Sequence, residues 1–394
     1  MREKWFREHI WWMSFILSLM VVWVHSENTE LFLGELGRET MVYSLENFFA
    51  QTLGQIAVPG FFMISAYLFY RNFQFSKTVS KWKSRCKSLL LPYVLWNILY
   101  YLGYVVVTRL SFVENIIGKE PVAFNLKELL LAAVYYKYNP VFWYLFQLLL
   151  LVLLAPFLYM IIRRKRSGLA WLLLLILALW KNVSIPLLNL DALFYYSASG
   201  YAVLFKEKVE GENTPFQKKI WSAVLVFSWL ILWLLGRSGA FLHYTPVHTV
   251  LIRFLGVLVL YSILKEILFK PAGSTVKNSF FLYAIHFPWV RFFNKTGAVI
   301  LKGNQVAAAV FFLIMPFLIL LVSSVAGYLL KHTVPQLYDI LSGGRDSNAD
   351  KCRLFHSLLA NLLRICYCKT NSRRYSHCKN IINSRSGAFA LHLP

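Results

Sequence analysis

Apolar runs of about 20 residues recur along most of this sequence, and they restrict the possible folds more than any other feature. Such runs cover residues 48–70, 141–162 and 306–330, with few charges inside them. A helix of that length spans the roughly 30 Å hydrocarbon layer of a membrane. The composition agrees, because 58% of the 394 residues are hydrophobic and 15% are charged, against about 45–50% and about 25% in soluble domains. The pattern predicts a polytopic membrane protein and excludes a disordered chain.

The predicted fold class is all-α, since lipid offers backbone groups no hydrogen-bond partners and each span must satisfy its own. The N-terminal run resembles a signal peptide, but the chain continues as His25-Ser26-Glu27 without a small-residue cleavage site. We therefore predict an uncleaved first helix. About ten transmembrane helices are predicted, near residues 9–25, 48–70, 88–108, 141–162, 168–181, 184–205, 219–236, 246–264, 279–300 and 306–330.

The positive charges are distributed unevenly between the loops, and this predicts the orientation of the chain. Lysine and arginine concentrate in the cytoplasmic loops of membrane proteins. With the N-terminus in the cytoplasm, most of the 41 lysines and arginines fall on the cytoplasmic side, so we predict that both termini lie there. A net charge of +23 would otherwise suggest nucleic acid, but apolar runs separate the charges and we predict no such partner.

Near residue 341 the composition changes from apolar spans to a basic segment rich in serine and asparagine. We predict a membrane domain over residues 1–340 and a poorly ordered cytoplasmic tail over residues 341–394. Four of the five cysteines lie in this tail, so they cannot form a disulfide framework for the whole chain. Their spacing also differs from that of usual zinc-ligand pairs, and we predict no metal site.

The first helix carries a stripe of polar and aromatic residues on one face. On a period of 3.6 residues its members return to nearly the same angle around the helix axis. A polar stripe in a membrane helix turns toward the bundle interior or a water-filled cavity, whereas the opposite apolar face suits lipid or other helices. The members of the stripe are Arg7, Trp11, Ser14, Ser18 and His25.

His25 is predicted to lie at the external end of this helix, about 16 Å above Ser14. Histidine takes and returns a proton near neutral pH better than other side chains, which makes His25 a candidate general base. The alternative is an interfacial histidine with a structural role only, bonded to Ser26 or Glu27. The loop that follows is acidic, and Glu27 and Glu46 are the candidates to hold the imidazole in one tautomer.

Charged residues elsewhere suggest two binding regions. Arg253 is the basic residue well inside a predicted span, and Asp191 is its candidate partner, so the two either form an ion pair or contact a substrate. The basic run over residues 77–87, which includes Arg85, suits an anionic donor or serves as an ordinary cytoplasmic anchor.

Among the other histidines, His286 is expected at an interface or in a re-entrant segment because of Pro288, and His248 is expected to be solvated.

Four stretches follow one another in an order that matches a known family. They are Phe15–Ser26, Val58–Phe69 with its FF-x-IS core, the basic segment leading to Leu89–Trp96, and Asn139–Leu145 with its P-x-x-W-Y-L core. Weaker matches lie at Tyr196–Tyr201 and Ser279–His286. Over roughly residues 5–330 the chain resembles the bacterial type-three membrane acyltransferases, polytopic O-acyltransferases of surface carbohydrates and related acceptors.

The resemblance implies a mechanism and a set of site residues. Acyl-CoA would be the cytoplasmic co-substrate, with no permanently bound cofactor, and His25 would deprotonate an acceptor hydroxyl at the outer side of the bacterial cytoplasmic membrane. The acyl group is expected to be acetyl. The family's arginine before this histidine is replaced by Ser14, so Arg7 on the same stripe is the candidate substitute. The motifs further imply donor or substrate contacts at Ser65, Arg85 and Trp143, beside the substrate contact considered for Arg253.

A function of another class also fits parts of the sequence. A transporter or flippase of a lipid-linked sugar or small solute would explain the polar stripe, Arg253 and Asp191 as a permeation path. It would give no special reason for a histidine beside an acidic external loop. The two interpretations differ in whether His25 is essential.

Overall fold

The computed structural model describes residues 2–110, 120–209, 215–237, 245–267 and 271–344. Within these ranges the chain is mostly helical and contains no strand, which confirms the all-α class. The α-helices are α1 Arg2–Val24, α2 Thr29–Leu33, α3 Met41–Glu46, α4 Ala57–Tyr70, α5 Thr78–Arg85, α6 Leu91–Val107, α7 Leu126–Tyr135, α8 Trp143–Ile162, α9 Lys165–Trp180, α10 Leu190–Val209, α11 Pro215–Arg237, α12 Pro246–Glu266, α13 Ser274–Lys277, α14 Ser279–Ile300, α15 Gln305–Thr333 and α16 Pro335–Leu341.

Seven segments of the described chain are long and apolar enough to cross a membrane, and each coincides with a predicted span. Short 3-10 or π-helical turns join α3 to α4 and α5 to α6, so two of these segments are longer than a single regular helix. The other three predicted spans also form helices, namely α9, α10 and α14, but by length or composition they are not among the seven. The protein is therefore a multi-pass membrane protein, and both the count of ten and the orientation stay predictions.

The α1 helix lies at the centre of the bundle, in contact with α4, α14 and α15. Its apolar face was expected to contact lipid or other helices, and it contacts helices: Leu17 and Val22 are fully buried. Gly60 of α4 allows this close packing, since a Cβ there would come within 2.8 Å of the Leu17 side chain. Large exposed apolar side chains instead line α9, α11 and α15, which is the pattern of lipid-facing helices.

The α7 helix folds back along α6. The hydroxyl of Tyr101 donates to the carbonyl of Ala123 at 2.9 Å, and that of Tyr93 donates to the carbonyl of Val134 at 2.7 Å. These two bonds attach both ends of the returning segment to α6. The start of α8 that follows lies close to α14, since the Tyr283 hydroxyl of α14 donates to the carbonyl of Val141.

The described chain ends with α16, whose packing ties it to the bundle. Trp96 donates its indole N–H to the carbonyl of Leu341 at 3.0 Å, and Tyr338 and Leu341 are buried. The predicted tail beyond this helix, with its cysteines, falls mostly outside the described residues. The division at residue 340 stays a prediction.

Candidate functional site

His25 directly follows α1, and its ring faces the ring of His286 on α14. The two ring centroids are 5.2 Å apart and the ring planes are tilted by 37°. Phe287 approaches the His25 ring edge-on, with the centroids 5.4 Å apart. His25 is half-buried, whereas His286 is fully buried. The pair therefore places one imidazole at a partly open position and a second imidazole behind it.

Hydrogen bonds between α1 and α14 hold the two histidines in register. Before the pair, the Ser18 hydroxyl donates to the carbonyl of Ser279 at 3.0 Å. After it, the Asn294 amide donates to the carbonyl of Ser26 at 3.0 Å. Because one bond lies before His25 in the chain and the other lies directly after it, the backbone at His25 has little freedom to move away from α14.

The acidic residues after α1 support the turn that follows His25. The Glu46 carboxylate is buried and accepts the backbone N–H groups of Asn28 at 3.1 Å and Thr29 at 3.2 Å. The Glu27 carboxylate accepts from the side-chain amide of Gln51. These bonds differ from the predicted role of Glu27 and Glu46 as direct partners of the imidazole. A buried carboxylate is needed here because the first N–H groups of α2 have no partner within the helix.

His286 lies inside a continuous helix, which contradicts the expected re-entrant segment, and the alternative of an interfacial position stays a prediction. Pro288 cannot donate to the carbonyl of Ala284, four residues before it. The Tyr100 hydroxyl of α6 donates to that carbonyl at 2.9 Å instead. A helix in a membrane tolerates proline where a neighbouring helix satisfies the freed carbonyl in this way.

The ring of His286 is held by its own helix. Its Nδ1 is hydrogen-bonded to the carbonyl of Tyr283, one turn earlier. The hydroxyl of Tyr283 in turn donates to the carbonyl of Val141, and its ring stacks on Phe142 with centroids 5.7 Å apart and planes 10° apart. This part of α14 is thus fixed against the start of α8.

Arg85 reaches the same aromatic cluster from another helix. Its guanidinium lies within electrostatic range of the hydroxyls of Tyr144 and Tyr196, both of which are buried. The Tyr144 ring also contacts Tyr283, with centroids 5.7 Å apart. Its neighbour in the basic run, Lys81, hydrogen-bonds the carbonyls of α4 at Phe69 and Arg71, as expected of a structural cap. Lys81 thus binds backbone carbonyls, whereas Arg85 lies near the hydroxyls of buried tyrosines.

Arg253 lies within electrostatic range of the predicted partner Asp191, and the Tyr195 hydroxyl is close to both.

Ser65 is buried in α4, and its hydroxyl makes no hydrogen bond within the described residues. Trp143 is 38% exposed on the outside of α8, next to the inward-facing Tyr144. The Trp143 side chain therefore points away from the aromatic cluster next to the histidine pair.

The two candidates nearer the N-terminus lie apart from His25 on α1. Ser14 is half-buried, and its carbonyl accepts the Ser18 hydroxyl at 2.9 Å. Arg7 is exposed and, eighteen residues before His25, lies about 27 Å from it along the helix. If Arg7 contacts a donor, it does so far from the imidazole.

His248 lies in an environment different from that of the histidine pair. His248 is buried, with Nε2 2.8 Å from the carbonyl of Leu232 on α11, so the prediction that it is solvated was wrong. The close packing of Gly236 on the His248 ring explains the burial. His243 lies outside the described residues.

Comparison with known proteins places the chain in a family. A family model described as an acyltransferase domain matches residues 10–330, a stretch that begins within α1 and ends within α15. The comparisons with curated proteins and with solved structures found no match. Because the matched stretch is most of the chain, this protein belongs to the type-three membrane acyltransferase family, as its motifs indicated.

Proposed function

We propose that this protein transfers an acyl group, acetyl in the simplest case, from acyl-CoA to a hydroxyl of a carbohydrate or other envelope acceptor. The reaction takes place in the bacterial cytoplasmic membrane, and His25 is the general base. The observation that carries this proposal is the half-buried His25 imidazole, fixed between α1 and α14 and backed by a second imidazole.

The chemistry needs one group that takes a proton and returns it. The acceptor hydroxyl gives its proton to a ring nitrogen of His25, and its oxygen attacks the carbonyl carbon of the thioester. The carbon–sulfur bond breaks, and the leaving thiolate takes the proton from His25. A neutral imidazole can perform both steps near neutral pH, and its partial exposure leaves room for the acceptor.

Arg85 is the best-placed candidate for the donor side. Coenzyme A carries phosphates, and a guanidinium binds phosphate through paired, charge-assisted hydrogen bonds. Arg85 reaches Tyr144, which contacts Tyr283, and Tyr283 lies one turn before His286. One aromatic cluster thus connects the basic residue with the histidine pair, and this supports a donor bound on the Arg85 side with its thioester directed toward His25.

The transporter alternative receives less support. Family membership favours a transferase. The position of Arg253 near Asp191 and Tyr195 fits either a substrate contact or an ion pair inside a transferase. Transport would depend on Asp191 and Arg253 and would continue in His25→Ala.

The proposed function is tested by mass spectrometry of envelope glycans from cells that lack the gene and carry either the wild-type chain or His25→Ala. We expect an ester mass that wild type restores and His25→Ala does not, at equal protein level in the membrane. The matched control is His332→Ala, which removes an exposed histidine of α15 and should restore the ester fully. Restoration of the ester by His25→Ala would remove the general-base assignment.

A further inference from the structure

His286 has one ring nitrogen with a partner and one without. The partner of Nδ1 is the backbone carbonyl of Tyr283, which can only accept, so Nδ1 carries the proton. In the neutral ring Nε2 is then the acceptor. This nitrogen is buried and makes no hydrogen bond within the described residues. Buried polar atoms are rarely left without a partner, so an unpaired acceptor needs an explanation.

The group best placed to supply the missing donor is His25. Its ring centroid is 5.2 Å from that of His286, a separation at which nitrogens on the facing edges approach a hydrogen-bond distance of about 3 Å. The rings of Phe287 and Tyr283, which also contact His286, present apolar edges and faces there. The Tyr283 hydroxyl is already bonded to the carbonyl of Val141.

We infer that His286 is a positioning residue for His25 in the proposed acyl transfer, on which this inference rests. In the working enzyme a ring N–H of His25 turns toward His286 and donates to its Nε2, a bond that the structure places within reach but does not itself contain. The other nitrogen of His25 therefore has no proton and directs its lone pair toward the acceptor hydroxyl. A second histidine thus fixes the tautomer of the base, the task that the acidic loop was expected to perform.

The same bond assists the reaction after the proton has moved. When His25 takes the proton of the acceptor hydroxyl, it becomes an imidazolium, and its bond to Nε2 becomes charge-assisted and stronger. The proton then leaves with the thiolate of coenzyme A, so both histidines return to their starting states. His286 neither gains nor loses a proton over the cycle.

The surroundings of His286 are built to hold it still. The Tyr283 hydroxyl bonds the start of α8, and the Tyr100 hydroxyl bonds the carbonyl that Pro288 leaves free. Rigid support of this kind is needed because a base acts efficiently only when its lone pair is held toward the hydroxyl.

Two substitutions of His286 test the roles of its two ring nitrogens one at a time. The amide nitrogen of Asn lies where Nδ1 lies, so His286→Asn keeps the bond to Tyr283 and removes the acceptor that faces His25. The amide oxygen of Gln reaches the position of Nε2, so His286→Gln keeps the acceptor and removes the bond to Tyr283. If His286 positions His25, Asn should lower kcat about ten- to a hundred-fold, the loss typical of removing a group that orients a functional histidine, and leave KM nearly unchanged. Gln should retain most of the activity.

The assay uses purified full-length protein with acetyl-CoA and the envelope glycan fraction of the deletion strain, and it follows the release of free thiol and the ester mass. Melting temperatures of both variants in detergent report on folding. A purely structural role predicts the reverse order, with Asn active and Gln inactive, and that order or full activity of both variants would overturn the inference.

A second readout does not depend on turnover. In protein labelled with ¹⁵N at the histidine rings, the His25 signals should report one tautomer in the wild type and in His286→Gln, and a mixture in His286→Asn. An unchanged His25 tautomer in all three would also overturn the inference. An inactive wild type would instead count against the proposed function, so the two failures are distinguishable.

Discussion

A guanidinium inside a membrane protein is stable only where other groups replace water around it. Arg85 has the hydroxyls of Tyr144 and Tyr196 within electrostatic range, and the Tyr196 hydroxyl makes no hydrogen bond within the described residues. The donor proposal assigns Arg85 to the phosphates of acyl-CoA. This assignment makes a prediction at the scale of a single residue.

Arg85→Gln should raise KM for acetyl-CoA about tenfold or more and leave KM for the acceptor unchanged, because one charged contact to phosphate is worth roughly 1.5–3 kcal/mol. Initial rates at varied acetyl-CoA measure the change. Lys83→Gln, an exposed position on the same short helix, is the matched control and should behave as wild type. Equal KM values for wild type and Arg85→Gln would place donor binding elsewhere.

The sequence singled out His25 from its place on the polar stripe, but it did not identify His286 as the neighbour of His25. Helical periodicity reports which residues share one face of one helix. The contact between α1 and α14 joins residues far apart in the chain and depends on how the helices pack. For the same reason the sequence predicted a role for Glu46 near His25 but not the buried bonds to Asn28 and Thr29.

At the scale of the helix, side chains from neighbouring elements compensate for two internal prolines. In α14 the Tyr100 hydroxyl satisfies the carbonyl of Ala284, four residues before Pro288. In α8 the Trp82 indole donates at 2.9 Å to the carbonyl of Val152, four residues before Pro156. A proline inside a helix leaves a carbonyl without its usual partner, but a donor 184 residues away cannot be found from local sequence.

Tyr100→Phe should leave the carbonyl of Ala284 buried and unpaired, at a cost of about 1–3 kcal/mol, and should lower the melting temperature in detergent. It should also lower acyl transfer, because α14 carries His286. The control is Tyr135→Phe, in which the lost hydroxyl belongs to a half-exposed side chain. Equal melting temperatures of the two variants would show that the bond from Tyr100 does not support α14.

Across the chain as a whole, hydropathy predicted each of the seven described segments that are long and apolar enough to cross a membrane, since a bilayer requires the same length and apolarity of each span. Three further predicted spans form helices that are shorter or more polar, and α10 carries Asp191 and its neighbour Tyr195. Spans that contribute polar groups to the interior lose part of the hydropathy signal that identifies them. The segment between α6 and α8 falls between two predicted spans, and the folding of α7 against α6 depends on tyrosine hydroxyls that hydropathy does not measure.

In the proposed reaction His25 accepts its substrate at the outer side while the donor approaches from the cytoplasm. This arrangement is tested most directly by cysteine labelling in a chain whose native cysteines are replaced by serine. Leu36→Cys marks the loop after His25, where Leu36 is 79% exposed, and Gln74→Cys marks the exposed turn between α4 and α5. A membrane-impermeant maleimide should label Leu36→Cys in spheroplasts and Gln74→Cys in inverted vesicles only. The reverse pattern would put His25 on the cytoplasmic side and contradict the account.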